Sequence, residues 1–316
     1  MKAWQFTGTG QPLEWVELPD PEPAAGQVLL DVEGSGLCHT DVGVLHDHGW
    51  ANLHAKLPIV IGHEVAGTIR AMAPDVTGWN VGDRVGVCPT TVAGAPGFSF
   101  DGGFAEQMVV DARALVPIPE NVDFLQGAAA TDAGMTSHHA VMVTGGLKPG
   151  MKVGLIGLGG LGQIGARVAA LNGAEVFVAE TDESVWGLAD DLGVRGIART
   201  IGEFAHEGLE LIVDYAGFGT TTADAIEAVA RKGRVVQVGM GKLSAEISTR
   251  ELILKEVTLV GSSGGTPEDI RGVYELISSG QLNPTLHAIS LEEIPDGLER
   301  LHRGDVTGRL VACPNA

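Results

Sequence analysis

Lys152-Val-Gly-Leu-Ile-Gly-Leu-Gly-Gly-Leu-Gly162 is the stretch that decides the fold. The apolar run Lys152 to Ile156 reads as a buried strand, and the glycines after it as a turn. Leu161, Ile164, Val168 and Leu171 then fall at helical spacing and give one apolar face. A second strand, Glu175 to Ala179, completes a βαβ unit and ends at Glu180. Strand, glycine run, helix and acidic end together predict a dinucleotide site. Gly157 allows the tight turn, Gly159 lets the backbone approach a pyrophosphate, and Gly162 lets helix and strand pack closely. The helix N-terminus, entered through Gly160 and Leu161, offers N–H donors to the phosphates. Glu180 stands where it can accept hydrogen bonds from the adenosine ribose hydroxyls. Its charge would repel a 2′-phosphate, and Thr181, Asp182 and Glu183 follow it instead of Arg or Lys, so NAD is expected over NADP.

Downstream, Leu209 to Asp214, Arg234 to Val238 and Val257 to Gly261 continue a pattern of strands alternating with helices, which implies a doubly wound parallel sheet. A helix from Pro267 to Ser279 has Thr266 as N-cap and Ile270, Val273, Tyr274 and Ile277 on one face. A last helix near Leu291 to Leu301 precedes a closing strand, Arg309 to Ala312. Before Asp123 the texture is different. Short β-rich pieces (Gln27 to Val32, Ile69 to Ala71, Arg84 to Val87, Gln107 to Val110) are separated by Gly and Pro, as in a mostly β domain. The fold class is therefore α/β, and 316 residues are enough for two cores.

Three further phrases carry chemistry: Gly-Ser-Gly-Leu-Cys-His-Thr-Asp from Gly34 to Asp41, Gly62-His63-Glu64, and Thr131-Asp132-Ala133-Gly134. Alone, Cys38 reads as a small buried hydrophobe, His63 as a core histidine and Asp132 as a helix cap. Together, a thiolate, an imidazole and a carboxylate give three zinc ligands and leave a fourth position open, the arrangement of a catalytic metal site.

Composition excludes several other classes. Forty acidic residues against twenty basic give a net charge of −20, and no Lys/Arg cluster stands out, so no nucleic-acid partner is expected. The apolar runs are short and broken by glycine, and Met1 to Gly10 lacks the character of a signal peptide, so no membrane partner and a cytoplasmic location are expected. Cys38, Cys88 and Cys313 form no Cys-x-x-Cys pair, which fits a reducing compartment.

These motifs resemble the zinc-dependent alcohol dehydrogenases of the medium-chain dehydrogenase/reductase superfamily, from Met1 to Gly308-Arg309. The resemblance implies a GroES-like, mostly β catalytic domain from residues 1–133 and 264–316. It implies a Rossmann domain over 134–263 and an active site in the cleft between them. It makes Cys38, His63 and Asp132 the zinc ligands, Glu64 an occasional exchange ligand and Asp41 the carboxylate that orients His63. His39 and Arg309 would face the pyrophosphate, Thr136 and Leu161 the nicotinamide, and Val238 to Met240 with Ser262 and Ser263 the carboxamide. Zinc would lower the pKa of a bound alcohol, with hydride passing to NAD and Thr40 as first proton carrier. Some relatives end that relay with a histidine, but Gly43 stands there, so His46 and His48 are the remaining candidates.

Trp50 and Phe98 are candidate pocket walls. The third ligand being Asp132 points to a bacterial branch that often handles secondary alcohols. The four-cysteine structural zinc lobe of many members has no counterpart over Pro89 to Phe100, so one zinc per subunit is expected. Pairing through Val257 to Gly261 would make a homodimer or homotetramer. The rival readings are a zinc-free quinone or enone reductase of the same superfamily, which would lack the ligand set, and a non-catalytic nucleotide-binding sensor or crystallin-like protein.

Overall fold

The computed structural model describes residues 1–50, 53–91 and 94–314. The chain divides into two compact units, Met1–Met135 with Thr266–Ala316, and Thr136–Gly265.

The first unit opens with β1 (Lys2–Phe6), β2 (Glu14–Glu17) and the ten-residue β3 (Gln27–Gly36), followed by helix α1 (His39–His46). Then come β4 (Ile59–Val60), β5 (Glu64–Met72), β6 (Arg84–Val87), β7 (Gln107–Asp111), β8 (Leu115–Pro117) and helix α2 (Phe124–Ala129), which runs into a π-helical turn at Ala130–Gly134. Along β3, Val28, Leu30 and Val32 alternate inward and pack with Val65, Ile69, Val85, Val87, Met108 and Val110.

The sequence pattern ends this strand at Val32, yet the strand continues to Gly36. Glu33-Gly34-Ser35-Gly36 has no β-forming side chains to announce it, and the ladder to β5 carries it on. Its glycines mark close approaches. A Cβ on Gly34 would lie 2.7 Å from the Phe124 carbonyl, and one on Gly36 would lie within the Glu64 carboxylate.

After α3 (Met135–His138) and a second π-helical segment, His139–Thr144, the second unit is built on β9 (Lys152–Ile156), α4 (Gly160–Leu171) and β10 (Glu175–Ala179). It continues with α5 (Ala189–Leu192), β11 (Val194–Ala198), β12 (Leu211–Asp214), α6 (Thr220–Ala228), β13 (Arg234–Gln237), α7 (Thr249–Leu254) and β14 (Thr258–Gly261). The six strands are parallel in the order β11-β10-β9-β12-β13-β14, with the sequence reversing direction beside β9. This is the doubly wound Rossmann sheet. The expected strands are all present. β11 was not foreseen, because Val-Arg-Gly-Ile-Ala is a short edge strand and only its last residue is buried.

The chain returns to the first unit with α8 (Pro267–Ser278), β15 (Leu286–Ile289), α9 (Ile294–Arg303) and β16 (Arg309–Ala312). Thr266 caps α8 in a reciprocal box with Asp269, and Ile270, Val273, Tyr274 and Ile277 form its buried face. The main sheet has the order β15-β16-β3-β5-β6-β8, with β7 also paired to β3, and a smaller sheet has the order β2-β1-β4. Cys88 is buried just after β6, and Cys313, just after β16, is half-buried.

Candidate metal centre and dinucleotide site

Strand register brings the first two ligands together. Gly36, two residues before Cys38, pairs with Glu64, one residue after His63. Beyond β3 the chain turns into α1 with Cys38 as N-cap, and the Thr40 N–H points at Cys38 Sγ at 3.5 Å. The positive end of a helix favours an anion there. Asp41 serves both ligands: its Oδ2 accepts from the Cys38 N–H at 2.9 Å, and its Oδ1 lies 3.3 Å from His63 Nδ1. That second contact is ion-pair close but poorly angled, since neither atom has a well-formed hydrogen bond among the described residues.

Asp132 arrives from the π-helical turn, its Oδ2 3.5 Å from His63 Nε2. Ligand atoms of Cys38, His63 and Asp132 all lie within 4.8 Å of one another. Soft sulfur, imidazole nitrogen and carboxylate oxygen, converging with two of the three residues buried, fit a zinc ion. The π-helical turn itself has no sequence signature; such turns recur at functional sites.

Around this cluster the electrostatics are strong. Burial disfavours charge on His63, but Asp41, Asp132 and Cys38 outweigh it and hold the imidazole well above its ordinary value. Burial pushes the Glu64 carboxyl up to about 7 against the lowering effect of Arg309. Glu64 has no exposed surface and lies outside the converging ligand set. Its Oε1 accepts from the Ala133 N–H at 3.0 Å and its Oε2 from Arg309 Nε at 2.8 Å.

Arg309 is 4% exposed, and its guanidinium engages Glu64 and also Asp132, at 3.1 Å. His39 is exposed in the first turn of α1, and Thr40 is half-buried beside it.

The two candidate pocket aromatics part company. Trp50 is buried in the core with Leu37, Val42, Leu45 and Ile59, and its indole covers Gly43 so closely that a Cβ there would lie 2.8 Å from the ring. The space left at Gly43 is thus filled by Trp50. Phe98 does flank the metal cluster, its ring centroid 5.5 Å from that of His63. On Phe98 stacks His54, at 5.2 Å and 14°, with Nε2 buried and unpartnered among the described residues. Sequence reading passed over His54, which sits in no motif. His46 stacks on His302 at 4.4 Å. A separate cavity of about 390 Å³, lined by Met1, Lys56, Phe100, Asp101 and Gln107 among others, shares no residue with the cluster.

In the second unit the expected cofactor residues gather at the carboxyl ends of the parallel strands, where such sheets bind ligands. Gly157 follows β9 with φ +91°, a left-handed conformation that favours glycine. A Cβ on Gly162 would lie 1.9 Å from the Gly157 carbonyl, so this glycine is demanded by packing. A Cβ on Gly159 would meet nothing within 4 Å, so this one is not; an open cradle above the turn fits a dinucleotide pyrophosphate. Gly159 N-caps α4 without a side-chain cap, and Gly160 and Leu161 form its first turn.

Glu180 follows β10 with both oxygens fixed, one by the Leu158 N–H at 2.7 Å and one by the Asp182 N–H at 2.8 Å. Lone pairs remain for ribose hydroxyls. Val238 and Met240 follow β13, and Ser262 and Ser263 follow β14, Met240 and Ser263 being exposed. Thr136 is buried, and the Ser137 hydroxyl beside it donates to the Leu161 carbonyl at 2.8 Å. One residue read only as a strand end, Asp214, is fully buried and accepts from Ala216, Gly217, Thr221 and Thr222, fixing the turn after β12.

Comparison with known proteins agrees with this geometry. Residues 24–120 match the family described as alcohol dehydrogenase GroES-like domain, and residues 160–279 the zinc-binding dehydrogenase family. An alcohol dehydrogenase of Geobacillus stearothermophilus is 30% identical, over 98% of this chain and 98% of its own. The crystal structure of the alcohol dehydrogenase from the hyperthermophilic archaeon Aeropyrum pernix superposes with a TM-score of 0.91 at 29% identity, over 99% and 100% of the two chains. An acetophenone reductase from Geotrichum candidum, solved in complex with NAD, gives 0.90 at 26% identity, over 99% and 97%. A GroES-like unit, a Rossmann unit and a Cys/His/Asp cluster define a zinc-type oxidoreductase. The chain belongs to the zinc-type alcohol dehydrogenases of the medium-chain dehydrogenase/reductase superfamily.

Proposed function

We propose that this protein interconverts an alcohol and its aldehyde or ketone with NAD, using one zinc ion held by Cys38, His63 and Asp132. The observation that carries the reading is the convergence of those three ligand atoms within 4.8 Å. Zinc bound there supplies Lewis acidity, lowering the pKa of an alcohol hydroxyl toward neutrality. Asp41, its Oδ1 3.3 Å from His63 Nδ1, is placed to orient the ring. Phe98 screens one side of the imidazole from water. The Thr40 hydroxyl takes the alcohol proton, a role that suits a group able both to accept and to donate. Since Trp50 fills the space at Gly43, the proton leaves Thr40 by water or by another side chain.

In the second unit, Gly157, Gly159, Gly160, Leu161 and Gly162 receive the pyrophosphate. Thr136, Val238, Met240, Ser262 and Ser263 receive the nicotinamide end. A secondary alcohol is the favoured substrate class. The acetophenone reductase with bound NAD supports both the ketone and the cofactor assignment, and the Asp132 ligand points the same way.

Metal analysis tests the zinc count. With three cysteines in the chain, and only Cys88 between β6 and β7, a four-cysteine site has no ligand set there, although Val92 and Ala93 of that stretch lie outside the described residues. One tightly held zinc per chain is expected; two would contradict the proposal.

NAD preference rests on Glu180. Glu180→Ala removes charge-assisted hydrogen bonds worth about 1.5–3 kcal/mol, so kcat/KM for NAD should fall roughly 10- to 100-fold while that for NADP does not. An unchanged NAD to NADP ratio would show that specificity lies elsewhere.

The rival enone-reductase reading has no use for the converging ligands, and the sensor reading has no use for Thr40 and Asp41 beside them. The edge strand β14, with Thr258 and Leu259 exposed, is the proposed self-pairing surface of a homodimer. No helix among the described residues is long and apolar enough to cross a membrane, and we place the enzyme in the cytoplasm.

A further inference from the structure

We infer that Arg309 is a positioning residue of the metal centre, holding the Asp132 carboxylate in its ligating orientation and thereby setting how tightly the ion is kept. The inference rests on the zinc reading above.

Each of the other two ligands has its own orienting partner. Cys38 is fixed as the N-cap of α1, facing the Thr40 N–H, and His63 is faced by Asp41. Asp132 is the most exposed of the three and stands on a π-helical turn with no cap of its own. Two tethers reach that turn from elsewhere in the first unit. Glu64 accepts the Ala133 N–H and so holds the main chain, while Arg309 Nη2 donates to Asp132 Oδ2 and so holds the side chain. Arg309 Nε joins the tethers by donating to Glu64, which closes a ring of contacts. The ring is built into the sheet. β16 pairs with β3 through Val311 and Gly36, the Leu37 N–H donates to the Leu310 carbonyl, and Gly36 leaves the space that the Glu64 carboxylate fills.

A carboxylate has lone pairs enough to accept from a guanidinium and still bind an ion. Arg309 also brings positive charge to a buried place crowded by Cys38, Glu64 and Asp132. At 4% exposure, with Nε on Glu64 and Nη2 on Asp132, its guanidinium is held by these two carboxylates.

The test compares the parent enzyme with Arg309→Gln and Arg309→Lys. Zinc affinity is read by competition with a chromophoric chelator, and the ligand field by the visible spectrum of the cobalt-substituted proteins. NADH affinity is read by fluorescence titration. Loss of an orienting partner of a metal ligand typically weakens affinity by roughly 10- to 100-fold, and that loss is expected for Arg309→Gln, with a shifted cobalt spectrum. Arg309→Lys keeps the charge but replaces two directed donors by a point charge, so a smaller loss is expected. Should the glutamine variant fail to fold, the lysine variant decides. Parent-like zinc affinity and an unshifted cobalt spectrum in the folded variants would overturn the inference, and weakened NADH binding alone would assign Arg309 to the pyrophosphate only. A parent chain that binds no zinc in the same titration would sink the zinc reading itself.

Discussion

Cys38→Ala will lose the zinc ion, and alcohol oxidation with it. Cys38 supplies the one sulfur in the converging cluster, so the variant keeps an imidazole and a carboxylate, which hold zinc far more weakly than the three together. Lewis-acid catalysis contributes several kcal/mol at about 1.4 kcal/mol per factor of ten, so kcat/KM should drop by about 10³-fold or more. The fold should survive, because the position is a helix cap beside a small buried side chain and the change removes a single sulfur. Metal content, circular dichroism and NADH formation measured on one preparation separate these effects. A folded, zinc-free variant with parent activity would remove the metal from the reaction.

The glycine run gives the second large effect, because its members are glycine for different reasons. In Gly162→Ala the new Cβ would meet the Gly157 carbonyl at 1.9 Å, so the turn must open. We expect NADH binding to be lost and stability to fall by about 1–3 kcal/mol, the usual range for overpacking. In Gly159→Ala the Cβ meets no protein atom within 4 Å and φ is already −74°, so the melting temperature should not move. NADH affinity should nevertheless fall, by roughly 10-fold for a contact worth about 1.4 kcal/mol, because the methyl occupies the cradle itself. Thermal melts and NADH titrations of the two variants check this. Equal binding losses with equal destabilisation would mean that both glycines serve packing alone.

The contrast also shows what the sequence makes legible. The glycine run, its strand and its helix are local words, so β9 and β10 could be read with their bounds and α4 by its apolar face. The ligand phrases are equally local, which is why Cys38, His63 and Asp132 could be named before any geometry was known. Long-range consequences were hidden. Arg309 meets Glu64 across 245 positions, and nothing around β16 says that its guanidinium turns to two carboxylates. Gly43 reads as a missing histidine, yet its meaning depends on Trp50 folding back over it. β11 gave no signal because an edge strand needs little apolar alternation, and His54 gave none because its role comes from stacking on Phe98. Asp41 beside His63 was legible because it sits in the same phrase as Cys38; what escaped was the distant partner, Arg309 on Asp132, which only the sheet brings there.

Removal and return of the metal tests the central claim most directly. The protein is stripped with a strong chelator, and NADH formation from a panel of secondary and primary alcohols is followed before and after one equivalent of zinc is added. The account predicts no turnover in the stripped protein and recovery on adding zinc, strongest with secondary alcohols and lost again in Cys38→Ala. Undiminished NAD-linked oxidation by verified zinc-free protein would contradict it.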